Sequence, residues 1–360
     1  MNYTKDELYL LWIDSFSSLE YNDKQFIYSI IKDKKSIKNA IIENKSLISE
    51  RIGEEVIQQI LASANDNYLK YLLNKLNRDN ISVVTVQSKD YPYELQRIEN
   101  PPLVLYAKGD LSLLDGENIF CIVGSRKSLP LALSVTHNIA KELVTAGMTL
   151  VTGIAEGVDE TVLTTALEEE GKMISVLASG FDNIYPTRNA SLVERVIEKG
   201  LVITEYPPSV EAKPYFFPVR NRIMSALAKG VLVTSGAIKS GTMHTAQYAG
   251  EYGKDIFAVP YSVGIKSGEG CNELIKRGAI LVDKKSDILE YYGLESKEEE
   301  YVLTELEEQI VNILAEGEKH IEQIAKALNK QTFEIIPTLS VLELRRIVVK
   351  NGVNVFALSK

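Results

Sequence analysis

The chain has 360 residues, with 40 Lys and Arg against 49 Asp and Glu, a formal net charge of −9, and 45% hydrophobic residues. That length allows two or three domains, one of them with a full α/β core, and the acidic balance excludes a protein that coats polyanions over its whole surface, leaving room only for a local cationic groove. No apolar run reaches the ~18 residues of a membrane span. Acids stand in "MNYTKDELYLLWIDSF" where a secretion signal needs cations. Two distant cysteines, Cys121 and Cys271, and three histidines argue against a disulfide framework or a metal site. A reducing cytoplasm is the expected compartment, with no cofactor and no membrane contact.

Residues 1–80 read as an N-terminal helical (SAM-like) domain, with helical periodicity in "LYLLWIDSF", "KQFIYSIIKDKKSIKNAII" and "NDNYLKYLLNKL". "ISVVTV" (81–86) reads as a strand, and a proline-punctuated connector leads to a second strand at Leu103 to Tyr106. From Asn118 apolar β-rich runs alternate with helices: "IFCIVG", "MTLVTG", "KMISVLASG", "LVITE", "GVLVTS", "DIFAVP" and "AILVD" each precede or follow a helix. This alternation predicts an α/β fold, an extended Rossmann-like, doubly wound, mostly parallel sheet covered on both faces, over residues 81–292. "LESKEEEY" (294–301) marks a charged hinge, with the linker set at 293–300, and three helices with two short strands around "KNG" predict a winged-helix domain over 301–360. Residues 300–360 hold seven Lys and Arg against nine Asp and Glu, net −2, which lacks the basic footprint of a DNA reader and suits protein interaction.

In an open parallel sheet ligands bind beyond the carboxyl ends of the strands. Five such ends carry polar or glycine signals: Gly124-Ser125-Arg126, Gly153 to Asp159, Ser179-Gly180, Glu205 to Arg222, and Ser240-Gly241-Thr242. Backbone N–H groups at a helix start favour an anion there, although "SGT" serves equally as a plain N-cap. The P-loop string is absent, as are the Gly-x-Gly-x-x-Gly fingerprint after the first strand and a Ser-His-Asp or Cys-His set. His137 falls in a helix, and His244, beside the "SGT" turn, is read mainly as a surface residue. "KPYFFPVRNRIMSALAKG" (213–230) then concentrates Lys213, Arg220 and Arg222 as phosphate donors beside Phe216 or Phe217 as a stacking face, just before a helix. The bland alternative puts Phe217 in the core and pairs Arg222 with Glu205. As a cluster these residues point to single-stranded nucleic acid.

"IVGSR", "GIAEGVD", "LASGFDNIYP", "TEYPP", "FPVRNRIMSALAKGVLVTSG", "SGTMHTAQYAGEYGKDIFAVP" and "NELIKRGAILV", in this order, resemble the DNA-processing protein A family (DprA, also called Smf). The resemblance is strong over about 80–292. It implies a non-enzymatic, homodimeric protein that binds and protects single-stranded DNA and helps load RecA recombinase during natural transformation or recombination. It also implies phosphate contacts at Ser125 and Arg126, a pocket wall at Gly180 and the "IYP" turn (184–186) with nearby Arg188, and a cation and ring at Lys213 and Phe216. Arg220, Asn221 and Arg222 match its "RNR" signature, and Ser240, Gly241 and Thr242 its second glycine turn. The chain departs from the family at Thr161-Val162, where Ala-His is common, and at Ser235-Gly236, where Glu-Ala is common. "FSSLEYNDK" replaces a Gly-rich hairpin, and Arg345-Arg346 replace a frequent Gly. The alternative is a nucleotide-processing enzyme or nucleotide sensor of the phosphoribohydrolase-like Rossmann superfamily. Its catalytic Glu would fall at Thr245, so Glu156, Asp159 or Glu205 would have to substitute.

Overall fold

A computed structural model describes residues 3–295, 303–345 and 347–358. Part of the expected linker (296–300), the start of the expected winged helix (301–302) and Arg346 lie outside the described residues. Contacts divide the chain into two units, 1–297 and 298–360.

The first unit opens with six helices: α1 (Lys5–Asp14), α2 (Tyr21–Ile31), α3 (Ile37–Glu43), α4 (Lys45–Ile52), α5 (Glu54–Ser63) and α6 (Asp66–Arg78). Thr4 starts α1 with a capping box, its hydroxyl accepting from the Glu7 amide while Glu7 accepts from the Thr4 amide. Trp12, Ile27, Ile31, Ile41 and Ile57 fill the core of this helical region. Leu10 and Leu11, on the same α1, pack instead with Val83 and Tyr106 of the sheet.

The sheet contains β1 (Ser82–Thr85), β2 (Val104–Gly109), β3 (Ile119–Val123), β4 (Thr149–Thr152), β5 (Met173–Val176), β6 (Leu201–Thr204), β7 (Gly230–Val233), β8 (Asp255–Ala258) and β9 (Ile280–Leu281). Between them run α7 (Tyr93–Gln96), α8 (Pro130–Thr145), α9 (Val158–Glu168), α10 (Ala190–Lys199), α11 (Phe216–Leu227), α12 (Gly241–Glu251) and α13 (Glu269–Lys276), with α14 (Asp287–Tyr291) after β9. Strand order is β1-β2-β6-β5-β4-β3-β7-β8-β9. The run from β6 to β9 is parallel, and β1 and β2 are antiparallel additions at one edge.

The "IFCIV" run of β3 shows why both faces are covered. Its alternate residues Ile119, Cys121 and Val123 enter one core with Ile223 and Leu227 of α11, Ala246 of α12 and Leu274 of α13. Phe120 and Ile122 enter a second core with residues of α8, α9, α10 and α14. A two-residue side-chain period that is apolar in both phases requires a layer of helices on each side. From β3 the chain winds through β4 and β5 to β6, then crosses back through α11 to β7 on the other flank of β3. The switch point therefore lies between β3 and β7, where this architecture opens a crevice beyond the carboxyl ends.

The second unit holds α15 (Glu305–Ala315), β10 (Lys319–His320), α16 (Ile321–Ala327), α17 (Thr332–Leu344), β11 (Val348–Gly352) and β12 (Val355–Leu358). Ile310, Ile324, Ile335, Leu339 and Phe356 form its core. The strand β10, two residues long, adds a third member to the hairpin expected from the sequence. "KNG" belongs to β11 rather than to the turn: the pairing slips between Lys350 and Gly352, and the reversal comes at 353–354 with Asn354 at φ 62°.

Candidate nucleic-acid interface

A cavity of about 740 Å³ opens at the switch point. It is lined by the turn after β3 (Gly124 to Lys127), the start of α9 (Asp159), the start of α11 (Phe217, Pro218, Arg220, Asn221), and the start of α12 (Ser240 to Thr242, and Thr245). Four separate stretches of sequence thus meet because the topology brings β3, β4 and β7 side by side.

The turn after β3 is tied to the end of β7. The Ser125 amide donates to Ser235 Oγ at 3.1 Å, and Ser128 Oγ lies 2.6 Å from the same hydroxyl. Ser125 Oγ in turn accepts from the Lys127 amide at 3.1 Å. Ser235 is one of the departures from the family pattern, and here its hydroxyl fixes the turn. Arg126 is exposed at the rim, its guanidinium 4.8 Å from the Phe217 ring centroid, within cation–π range. Tyr185, 49% exposed, meets Phe217 edge-on at 5.8 Å, which completes a cation-and-ring platform at the mouth.

The helix α11 begins at Phe216, so Phe216, Phe217, Arg220 and Arg222 lie within its first two turns, while Lys213 precedes it. Pro218 is tolerated because it falls in the first turn, where no intrahelical N–H bond is lost. Arg220 is buried and donates through Nη1 to the Val176 carbonyl and through Nε to Asn221 Oδ1 at 3.2 Å. Asp159, also buried, accepts from the Ala155 amide at 3.2 Å. A Cβ on Gly153 would collide with both Asp159 Oδ2 and the Arg220 guanidinium, so the end of β4 must be bare for this acid and base to converge. Burial pushes the Asp159 carboxyl above its ordinary value although Arg220 pulls it down, and burial also draws Arg220 downward.

Ser240 occupies the N-cap position of α12, yet its hydroxyl bonds to Thr242 Oγ1 and caps no amide. The amides of Gly241 and Thr242 have no hydrogen-bond partner among the described residues. Asn221 Nδ2 donates to the Gly241 carbonyl at 3.2 Å and so ties the starts of α11 and α12 together. The result is a helix N-terminus with open donors facing a cavity, the arrangement that suits an anion.

Of the twelve residues expected at the site, Ser125, Arg126, Arg220, Asn221, Ser240, Gly241 and Thr242 line this cavity, and Gly180, Arg188, Lys213, Phe216 and Arg222 do not. Phe216 stacks on Tyr206 at 4.1 Å and meets Tyr215 edge-on, with Lys213 5.7 Å from its centroid. It thus forms a second cation-and-ring group one residue away from the first. Gly180 is buried, and a Cβ there would collide with the carbonyls of Pro207 and Pro208; it lets the loop after β6 pass close by. Arg188 is held by Glu156 at 2.9 Å and Glu160 at 3.2 Å. Arg222 is buried against Glu205, the pairing that the bland alternative names, which leaves Arg222 Nη1 and Glu205 Oε1 without a hydrogen-bond partner among the described residues. Tyr185 of the "IYP" turn lines the cavity, as do Asp159 and Thr245, which the sequence marked in connection with the alternative enzyme reading. The pairing of Phe217 with Arg126 was not singled out by sequence. The signal for Thr245 was its i+3 spacing from Thr242, which puts both on one face of α12.

The sequence model of the DNA recombination-mediator protein A family matches residues 82–293. DNA processing protein DprA of Bacillus subtilis is 35% identical over 252 residues, covering 68% of this chain and 85% of that protein. Protein Smf of Synechocystis is 34% identical over 247 residues, of which the match covers 62% of its length. Among solved structures, DNA processing protein A of Streptococcus pneumoniae superposes with a TM-score of 0.68 at 28% identity, covering 82% of this chain and 99% of that one. DNA processing protein A of Helicobacter pylori, solved for its single-stranded DNA binding mode, superposes with a TM-score of 0.54 at 29% identity, covering 59% of this chain and 95% of that one. With the family model spanning the whole sheet and its crevice, the chain belongs to the DNA recombination-mediator protein A family.

Proposed function

We infer that this chain binds single-stranded DNA across the rim of the switch-point crevice, without catalysing a reaction on it, and passes the strand to RecA recombinase as a homodimer. The observation that carries the reading is the meeting of Arg126 over Phe217 with the open amides of α12 in one cavity. Phosphate oxygens suit the amides and guanidinium, and a base suits the ring. Lys213 and Phe216 supply a second such contact for a neighbouring nucleotide. The single-stranded DNA binding mode of the Helicobacter pylori relative supports the same ligand here. Gly180 and Arg222 act in this reading as positioning residues, the first for the 206–215 loop and the second for α11. Titration of a labelled oligo-dT checks it: Arg126→Ala and Lys213→Ala each weaken binding about tenfold, and unchanged affinity in both variants contradicts it. Faster RecA filament growth on covered single strands in its presence, and a dimer in sedimentation, are the matching expectations for the partners.

Asp159 favours a second reading, a nucleotide-processing enzyme. It is the one acid lining the cavity, and burial raises its pKa into the direction a general acid needs. Release of free base from a panel of nucleoside monophosphates, lost in Asp159→Asn, is what this second reading requires.

A further inference from the structure

The donors of the cavity exceed what a phosphodiester within a strand can use. The Gly241 and Thr242 amides are open, and the hydroxyls of Ser240 and Thr242 bond to each other instead of capping the helix. One turn further along α12, Thr245 is 1% exposed, lines the same cavity, and its Oγ1 has no hydrogen-bond partner among the described residues. A buried, unsatisfied hydroxyl is costly unless a ligand completes it. An internal phosphodiester offers two free oxygens with one shared charge, whereas a terminal phosphate monoester offers three with nearly two charges.

The cavity is also polarised. One end, where Asp159 meets the Arg220 guanidinium at Gly153, lies beyond β4, and the open amides lie beyond β7. These strands flank β3, so the two ends are about two strand spacings, or about 10 Å, apart. The Asp159 carboxyl, beside the Arg220 guanidinium, can accept from hydroxyl or amino groups. One nucleotide laid from α12 toward Asp159 matches both ends, its phosphate at the amides and its sugar or base donors at the acid.

We propose that the cavity is a terminal-phosphate pocket, which seats a single nucleotide whose phosphate is a monoester held by Gly241, Thr242 and Thr245 at the start of α12. The proposal deepens the strand-binding reading by assigning an end of the strand to this cavity, and a free nucleotide carries the same chemistry. The Lys213–Phe216 group then lies along the path of the nucleotides that follow the terminal one.

The test uses the full chain and calorimetric titration with dTMP and with dT12 phosphorylated at its 5′ end, at its 3′ end, or at neither. The proposal expects one phosphorylated oligomer to bind about tenfold tighter than the hydroxyl-ended one. In Thr245→Val that ratio collapses toward one, and in Thr245→Ser, which restores the hydroxyl, it returns. Thermal melts of both variants establish that they fold. Competition by dTMP identifies a free nucleotide as a source, and its failure to compete while the end preference persists assigns the pocket to strand ends. Equal affinity for all three oligomers, with no dTMP binding, overturns the proposal even where hydroxyl-ended dT12 binds well and the strand-binding reading survives. Binding of dTMP without binding of any oligomer supports the pocket and contradicts that reading instead.

Discussion

At Ser235 the family commonly carries an acid followed by Ala, and here a hydroxyl accepts from the Ser125 amide and contacts Ser128. Removing it leaves the Ser125 amide unpaired and frees the turn that aims Arg126. Ser235→Ala is expected to weaken oligo-dT binding by about 1 kcal/mol with little change in thermal stability, read by paired titration and melting. Asp159 makes a prediction of different sign. Its folded-state pKa is raised above the ordinary 3.8, so its contribution to stability is full below that value and is lost as pH rises through the folded-state value. Asp159→Asn, which cannot ionise, should therefore gain on the parent chain in melting temperature as pH rises from about 4 to about 7. A difference that stays constant over that range contradicts the burial argument. The glycine turns, "RNR" and the pairing of Arg222 with Glu205 were legible, but nothing in the sequence turned Arg220 inward toward Val176. Arg220 and Arg222 sit two positions apart on α11, a separation that puts them on different faces, one toward Val176 and the cavity and the other toward Glu205.

Among the elements, α11 does most to shape the site. It carries the chain across the switch point, its first turns form one wall of the cavity, and its far side buries Arg222 against Glu205. Burial raises the Glu205 carboxyl even with the guanidinium beside it, so each charge depends on the other. Arg222→Leu should cost about 3 kcal/mol in denaturant unfolding by stranding that acid, and the double change with Glu205→Leu should recover most of it. Two equally damaging variants would contradict a paired role. The strands and helices of the sheet were legible because a buried parallel strand reads as an unbroken apolar run, as "IFCIV" does. The start of α11 was not, because two prolines and two phenylalanines read as a turn, although Pro at the third helical position breaks no hydrogen bond. In the second unit, α17 has no Lys or Arg, while Phe333 and Ile336 are exposed at 71% and 50%. Lys319, Lys326 and Lys330 lie elsewhere in that unit, and their joint replacement by Ala should leave oligo-dT affinity within about twofold.

For the whole molecule, −9 net charge and a strand-binding crevice are compatible only if cations are concentrated where the strand runs. Arg126 and Lys213 meet that demand: each is exposed and each stands over a ring at the start of α11. Distant acids then limit indiscriminate binding, so affinity should depend on a few phosphate contacts and fall steeply with salt. The measurement that bears most directly on this account is the salt dependence of oligo-dT affinity in the parent chain and in the Arg126→Ala, Lys213→Ala double variant. Strand binding at this rim predicts tight binding that weakens from 50 to 200 mM salt with a slope set by several phosphates, and a slope reduced by about 1.4 in the double variant. Identical slopes and affinities for the two proteins would place the strand elsewhere on the molecule.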